Sequence, residues 1–208
     1  MKKLYIVGAG GFGRELKSWI SQHPHFLKNV VFTAFLDDNK NALDSFSNFA
    51  PVHSLGDHTV SPENIYLCGI AVPSLKEKLI PALIKKGAQF ESFIHPSSII
   101  GERVQLGRGS IICPQCVLSC DIKLGDFTTL NIATTIGHDV QVGDWTTASA
   151  QVDLTGGVKV GQGVFFGSRA TVIPHKTIGD YSTIAAGAVV FTSVPPKTTF
   201  AGNPAREI

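Results

Sequence analysis

The sequence has few charged residues, a single methionine and no long apolar run. Charged residues make up 16% of the 208 positions, against roughly 25% in an average soluble domain. The 18 Lys and Arg nearly balance the 16 Asp and Glu, which argues against a nucleic-acid or membrane-surface binder. No stretch approaches the roughly 18 apolar residues of a membrane span. We therefore expect neither nucleic-acid binding nor membrane insertion.

The amino-terminal segment and the cysteines bear on the compartment. The apolar stretch Leu4 to Val7 ends at Gly8, which is too short for a secretory signal. The four cysteines then predict reduced thiols in the cytoplasm. Cys113 and Cys116 have the spacing of half a zinc site, but no second pair follows. Thiols packed within the structure are favoured, and we expect no metal site.

A six-residue repeat occupies the second half of the chain. Every sixth residue from Ile94 to Val190 is apolar, seventeen in succession, in a chain that is 43% hydrophobic overall. The next position is glycine in eight of the seventeen repeats, and the fifth position is small or β-branched in nearly all, with Lys176 a clear exception. This period does not match a helix of 3.6 residues per turn. It indicates short strands joined by sharp corners, where glycine relieves steric strain.

Three such repeats close one triangular coil of a left-handed parallel β-helix, and the chain resembles the hexapeptide-repeat transferases. The first residue of each repeat is expected to point into the prism, and the small fifth residue to fill space beside a corner. The prism is predicted over residues 94–195, followed by a tail at 196–208. Its flat and weakly charged sides favour a homotrimer.

Residues 1–93 have the order β-α-β…β-α-β, which predicts a small α/β domain with a parallel sheet. A G-x-G-x-x-G stretch from Gly8 to Gly13 lies between the first strand and helix, as in phosphate-binding turns. Asp37 and Asp38 end the second strand, where a carboxylate could accept from a ribose or a base. The alternative is a glycine turn that merely packs. About 90 residues supply only half of a Rossmann fold, which disfavours NAD and favours a nucleotide-sugar or sugar acceptor.

His138 stands out among the seven histidines because Asp139 follows it and because it occupies the third place of a repeat. Residues 18 apart stack along such a prism, so Gly156 lies above His138 and should leave open space for a ligand. The alternative is a solvent-facing histidine with a chance acidic neighbour. His175 is expected to be exposed at a corner.

Three segments together resemble the sialic-acid O-acetyltransferase family, which includes bacterial nucleotide-4-amino-sugar N-acetyltransferases. They are Gly-Ala-Gly-Gly-Phe-Gly-Arg-Glu from Gly8, Gly-His-Asp from Gly137 and Gly-Asn-Pro-Ala-Arg from Gly202. The resemblance implies acetyl-CoA in a cleft between subunits, no metal, His138 as general base and Asp139 as its helper. The resemblance also implies that the acceptor contacts Gly10, Gly11, Phe12, Asp37, Asp38 and Gly69. It implies that acetyl-CoA contacts Thr147, Gly156, Ser168 and Ala186, with the Gly156 amide facing the thioester.

The resemblance predicts an acetyl-CoA-dependent acetyltransferase. It favours N-acetylation of a nucleotide-linked 4-amino-4,6-dideoxy sugar by direct attack, because no motif indicates a covalent acyl-enzyme. Amino-sugar enzymes of this family often have histidine in place of Phe12 and of Thr147. A sialic-acid type of sugar O-acetyltransferase therefore stays open. A non-catalytic trimer that binds a nucleotide sugar is the third hypothesis.

Two other classes of prism protein are disfavoured. Only two histidines of the prism follow His95 at its entrance, which disfavours a three-histidine zinc enzyme of the carbonic anhydrase type. The short first domain excludes a nucleotidyltransferase.

Overall fold

The computed structural model describes residues 1–23, 26, 28–46 and 49–208. It divides into two compact units, one of residues 1–71 and 75–91 and one of residues 72–74 and 92–208. Neither of the two helices found in these residues is long and apolar enough to cross a membrane.

The first unit is a five-stranded parallel sheet with two helices. Its strand order is β3-β2-β1-β4-β5. The chain adds β2 and β3 on one side of the central strand β1 and then β4 and β5 on the other, so the strand order reverses at β1. The predicted strands and helices are present, and β3 at one edge is an addition that the sequence analysis missed. The elements are β1 (Lys2–Val7), α1 (Gly11–Ser21), β2 (Val30–Leu36), β3 (Val52–His53), β4 (Ile65–Cys68), α2 (Pro73–Lys85) and β5 (Gln89–Phe90).

The second unit is the predicted left-handed parallel β-helix of hexapeptide repeats, so the fold class of the sequence analysis is confirmed. Its strands form three faces, and partners within a face are 18 residues apart, as in the pairing of Val117 with Thr135. Face 1 contains β6 (Phe93–Ile94), β9 (Ile111–Ile112), β12 (Thr129–Leu130), β15 (Thr147–Ala148), β18 (Phe165–Phe166), β21 (Thr183–Ile184), β23 (Thr199–Ala201) and β24 (Arg206–Glu207). Face 2 contains β7 (Ile99–Ile100), β10 (Val117–Leu118), β13 (Thr135–Ile136), β16 (Asp153–Leu154), β19 (Thr171–Val172) and β22 (Val189–Val190). Face 3 contains β8 (Gln105–Leu106), β11 (Lys123–Leu124), β14 (Gln141–Val142), β17 (Lys159–Val160) and β20 (Thr177–Ile178).

The first place of each repeat points into the prism, as predicted. From Ile112 to Val190 every first-place side chain is buried, and each one except Ala148 contributes about 1.5–3 kcal/mol of apolar burial. Ile94 and Ile100 are 40% and 36% exposed because they lie in the first coil, which has a neighbouring coil on one side only. The last residues do not form a separate tail, since β23 pairs with β21 and extends face 1.

The backbone at the corners shows that the glycines of the repeat have a different role from the one predicted from the sequence. Every sixth residue from Arg103 to Gly187 has a left-handed backbone conformation, with φ between 55° and 69°. These residues occupy the fourth place of the repeat, not the second place, where glycine is common. The second-place glycines serve close contact between coils instead. A Cβ at Gly137, for example, would lie 2.7 Å from the Gly156 nitrogen. Their role is to let adjacent backbones approach each other, so strain relief was the wrong reason for these glycines.

Candidate active site

His138 and Asp139 lie at the corner between faces 2 and 3, which we call the 2–3 corner. Nδ1 of His138 is 2.7 Å from Oδ2 of Asp139, and the two side chains are 60% and 67% exposed. An ionised carboxylate only accepts hydrogen bonds, so the ring donates from Nδ1 and keeps a lone pair on Nε2. Asp139 has the left-handed backbone of the fourth place, φ 61°, which aspartate tolerates better than most residues. The pair therefore presents an oriented basic nitrogen at the surface.

The imidazole of His138 lies against Gly156 in the next coil. A Cβ on Gly156 would lie 2.6 Å from Nε2 of His138, closer than any real side chain permits. The space left by the missing side chain of Gly156, which the sequence analysis assigned to a ligand, is therefore filled by the imidazole of His138 itself. A glycine is needed here so that the ring can fold along the corner.

The backbone around Gly156 leaves one donor unused. Gly157 donates its N–H to the His138 carbonyl at 2.8 Å, and Thr155 donates to Val172 at 3.2 Å. Within the described part of the chain, the N–H of Gly156 has no acceptor. A free amide beside a basic nitrogen can stabilise an oxygen that gains charge while the base removes a proton. This is the chemistry of acyl transfer.

A charged cluster lies below His138 on the same corner. Arg103 donates to both carboxylate oxygens of Asp121, at 2.5 and 2.8 Å. This guanidinium, with help from the Cys120 thiol, lowers the pKa of Asp121 to about 2. Asp121 therefore stays ionised and paired in the coil beneath Asp139.

Of the four residues predicted to contact acetyl-CoA, only Gly156 lies against His138 in one chain. Ser168 and Ala186 are exposed at the corner between faces 1 and 2, which we call the 1–2 corner. They precede the strands of face 2, whereas His138 and Gly156 follow strands of that face, so the width of face 2 separates the two groups. Thr147 lies on face 1 and is 2% exposed, so its side chain offers no open surface to a ligand.

In the first unit, two glycines of the G-x-G-x-x-G stretch shape the turn after β1 and the packing of α1. Gly8 has φ 100° and makes the turn after β1. A Cβ on Gly13 would overlap the Gly8 carbonyl oxygen, so Gly13 permits close packing of α1. Gly10, the N-cap of α1, has open space where a Cβ would be, and Gly11 is exposed beside it.

The structure gives different tasks to the two adjacent aspartates. Asp37 accepts hydrogen bonds from the backbone N–H of Ala9 at 2.8 Å and of Asn39 at 2.9 Å. It therefore holds the glycine turn in place. Asp38 is exposed, and both aspartates line a mainly apolar cavity of about 200 Å³. This cavity lies at the carboxyl ends of β1 and β2, beside the strand where the order reverses, and open α/β sheets bind ligands at such places. The other lining residues are Val7, Gly8, Leu36, Leu55, Ile70, Leu75 and Leu79.

The two remaining predicted acceptor residues have internal contacts. A Cβ on Gly69 would lie 2.6 Å from the Ile6 side chain, so packing alone requires this glycine. Phe12 is half-buried, with its ring edge-on to Trp19 at 6.4 Å.

Two of the three cysteines of the second unit are packed in its interior. Cys113 and Cys116 are buried, and burial raises the pKa of the Cys116 thiol to about 11. Across residues 1–23, 26, 28–46 and 49–208, no group of three or more His, Cys, Asp or Glu is placed to hold a metal ion.

Solved structures of similar proteins cover the whole chain. WeeI from Acinetobacter baumannii is 30% identical, with a TM-score of 0.88 and complete coverage of both chains. The chain belongs to the hexapeptide-repeat acetyltransferases. The acetyltransferase domain of PglB from Neisseria gonorrhoeae, solved with acetyl coenzyme A, is 25% identical with a TM-score of 0.87, covering 100% and 99% of the two chains. PerB from Caulobacter crescentus, solved with CoA and GDP-perosamine, is 25% identical with a TM-score of 0.85, covering 100% and 98%.

Matches to curated acyltransferases are shorter. A probable serine acetyltransferase from Oryza sativa is 34% identical over 115 residues, which is 54% of this chain and 33% of that protein. A UDP-3-O-acylglucosamine N-acyltransferase from Caulobacter is 51% identical over 49 residues, 24% of this chain and 14% of that protein. The chain thus matches a third or less of the length of these relatives. No protein-family model matches the sequence.

Proposed function

We propose that this acetyltransferase-family chain transfers an acetyl group from acetyl-CoA to the amine of a nucleotide-linked 4-amino-4,6-dideoxy sugar in the cytoplasm. The observation that carries the proposal is Nε2 of His138, which is oriented by Asp139 and lies against a glycine whose amide is free. The 25%-identical PerB, solved with CoA and GDP-perosamine, supports an amino-sugar acceptor.

In this mechanism His138 removes the proton of the attacking amine through Nε2. The Gly156 N–H donates to the thioester oxygen as that oxygen gains charge. The nitrogen–carbon bond forms, the carbon–sulfur bond breaks, and the thiol of CoA leaves with a proton. Asp139 holds the imidazole in the tautomer that the proton transfer requires.

The test is CoA thiol release with a panel of acceptors. The panel contains nucleotide-linked 4-amino sugars with different bases, their 4-hydroxy counterparts and sialic acid. We expect release only with an amine acceptor. Release with hydroxyl acceptors alone would show a sugar O-acetyltransferase. Acceptor binding without release from any member would show the non-catalytic trimer.

The first prediction is a trimer, because one chain leaves the proposed site incomplete. His138 and Gly156 are separated by face 2 from Ser168 and Ala186, so the acetyl-CoA path needs the 1–2 corner of a second copy. Sedimentation equilibrium at micromolar concentration should give three times 22.2 kDa. A stable monomer would exclude a site shared between copies.

The second prediction separates the two aspartates of the first unit. Asp38→Ala should raise the KM for the nucleotide sugar without changing the melting temperature or the KM for acetyl-CoA, because Asp38 is exposed at the cavity. Asp37→Ala should also lower the melting temperature, because Ala9 and Asn39 lose their acceptor, at a cost of about 1–3 kcal/mol. Steady-state kinetics and thermal unfolding measure both. Equal changes in the two KM values for Asp38→Ala would contradict the division of substrates between the two units.

A further inference from the structure

His175 is a second imidazole on the 2–3 corner, and the mechanism above does not use it. It occupies the fourth place of its repeat, two coils above His138, and is exposed. The backbone N–H of His175 donates to the Gly156 carbonyl at 3.0 Å, and a Cβ on Gly157 would overlap Nδ1 of the His175 ring. The ring of His138 lies in the same way against Gly156. The two imidazoles therefore reach the Gly156–Gly157 step from the coils on either side of it.

The backbone imposes this position on the His175 ring. Tyr181 lies over Gly163 and Phe127 over Gly109 in the same manner, each ring one coil above a left-handed glycine. Both of these pairs lie at the corner between faces 3 and 1, away from His138. An aromatic ring above such a glycine thus folds down over it as a feature of the fold. What distinguishes His175 is that the fold places two ring nitrogens beside the proposed thioester site.

The level of His175 along the prism indicates which substrate it meets. Ser168 precedes strand β19 and His175 follows it, so both lie in the same coil. Gly156 lies one coil below His175, and Ala186 lies one coil above Ser168. Rotation about an axis parallel to the prism keeps these levels equal in every copy of a trimer. An acyl donor with its thioester at Gly156 and further contacts at Ser168 and Ala186 therefore passes the level of His175. Adjacent coils are about 4.8 Å apart, which is roughly the reach of the two carbons between the thioester sulfur and the first amide of pantetheine.

We propose that His175 forms a hydrogen bond with the cysteamine amide of the pantetheine arm of acetyl-CoA. The inference rests on the proposed function and on the trimer. A neutral imidazole has one donor and one acceptor nitrogen, and either can pair with an amide. Because the ring is already held against Gly157, little rotamer entropy is lost when the arm binds.

The test compares CoA binding, measured by calorimetry, in the wild type and two variants. His175→Phe keeps a ring over glycine and removes both nitrogens. Tyr181→Phe is the matched control, because it keeps the ring over Gly163 and removes a polar atom at another corner. We expect His175→Phe to weaken CoA binding by about 2- to 13-fold, the effect of one net hydrogen bond, and Tyr181→Phe to leave it unchanged. The factor should be the same in low and high salt, because an amide carries no net charge.

Three outcomes would overturn the assignment. Equal affinity of the wild type and His175→Phe would show that His175 makes no contact with the arm. A factor that shrinks markedly in high salt would show a contact with the phosphates of CoA instead. An equal loss in Tyr181→Phe would show a general effect of altering these ring–glycine pairs. If the wild type itself does not bind CoA, the proposed function fails rather than the role of His175.

Discussion

Replacing His138 with alanine should lower kcat by about 10²- to 10⁴-fold, which is the contribution of a positioned general base. The reason lies in the geometry. The hydrogen bond to Asp139 keeps the proton of the neutral ring on Nδ1, so Nε2 is the nitrogen of His138 that can accept a proton from the substrate. The KM values for both substrates should change little, because the base acts on the proton in the transition state. Single-turnover measurement of CoA thiol release with the best acceptor of the panel gives the rate of the chemical step.

Two controls accompany this variant. The His138 side chain is 60% exposed, so thermal unfolding should show a stability within about 0.5 kcal/mol of the wild type, as for most surface substitutions. Asp139→Asn keeps the shape of the helper and removes its charge, so it should cost less than His138→Ala. A His138→Ala enzyme with nearly normal kcat would refute the base and favour the non-catalytic trimer.

The repeat made the architecture predictable because its period is incompatible with a helix. Seventeen apolar positions in one frame allow only a coil that turns every six residues, and burial of the first place follows from that. The corner backbone was not predictable in the same way. Its left-handed residues include Trp145 and Tyr181, which rarely adopt such a conformation on their own. The regular contacts between coils impose this backbone, and they are tertiary.

The candidate site was predictable in composition but not in arrangement. The sequence places Gly156 above His138, but it cannot give the rotamer that folds the imidazole over that glycine. Asp37 and Asp38 are chemically identical neighbours, and only the position of the Ala9 amide separates their roles. Thr147 precedes an inward-pointing first-place residue, so it should point outward. The fold nevertheless buries its side chain.

Gly156→Ala should lower kcat by about 10- to 100-fold through the position of the base. A methyl group at residue 156 would lie 2.6 Å from Nε2, so the imidazole must move. A displacement of about 1 Å at a reacting group costs on the order of 10²-fold. Stability should be nearly unchanged, because Gly156 is not left-handed and alanine already occupies the equivalent third place at Ala150 and Ala186.

The double variant shows whether the glycine acts through the histidine. If Gly156→Ala works only by displacing the imidazole, it should add no further loss of kcat in a His138→Ala enzyme, because no ring remains to be moved. Losses that multiply would show that residue 156 contributes independently, through its amide or through space for the thioester. Gly156→Ala with wild-type kcat would show that the ring does not lie against this glycine during catalysis. The cycle thus separates placement of the base from stabilisation of the oxygen, two roles that one glycine can combine.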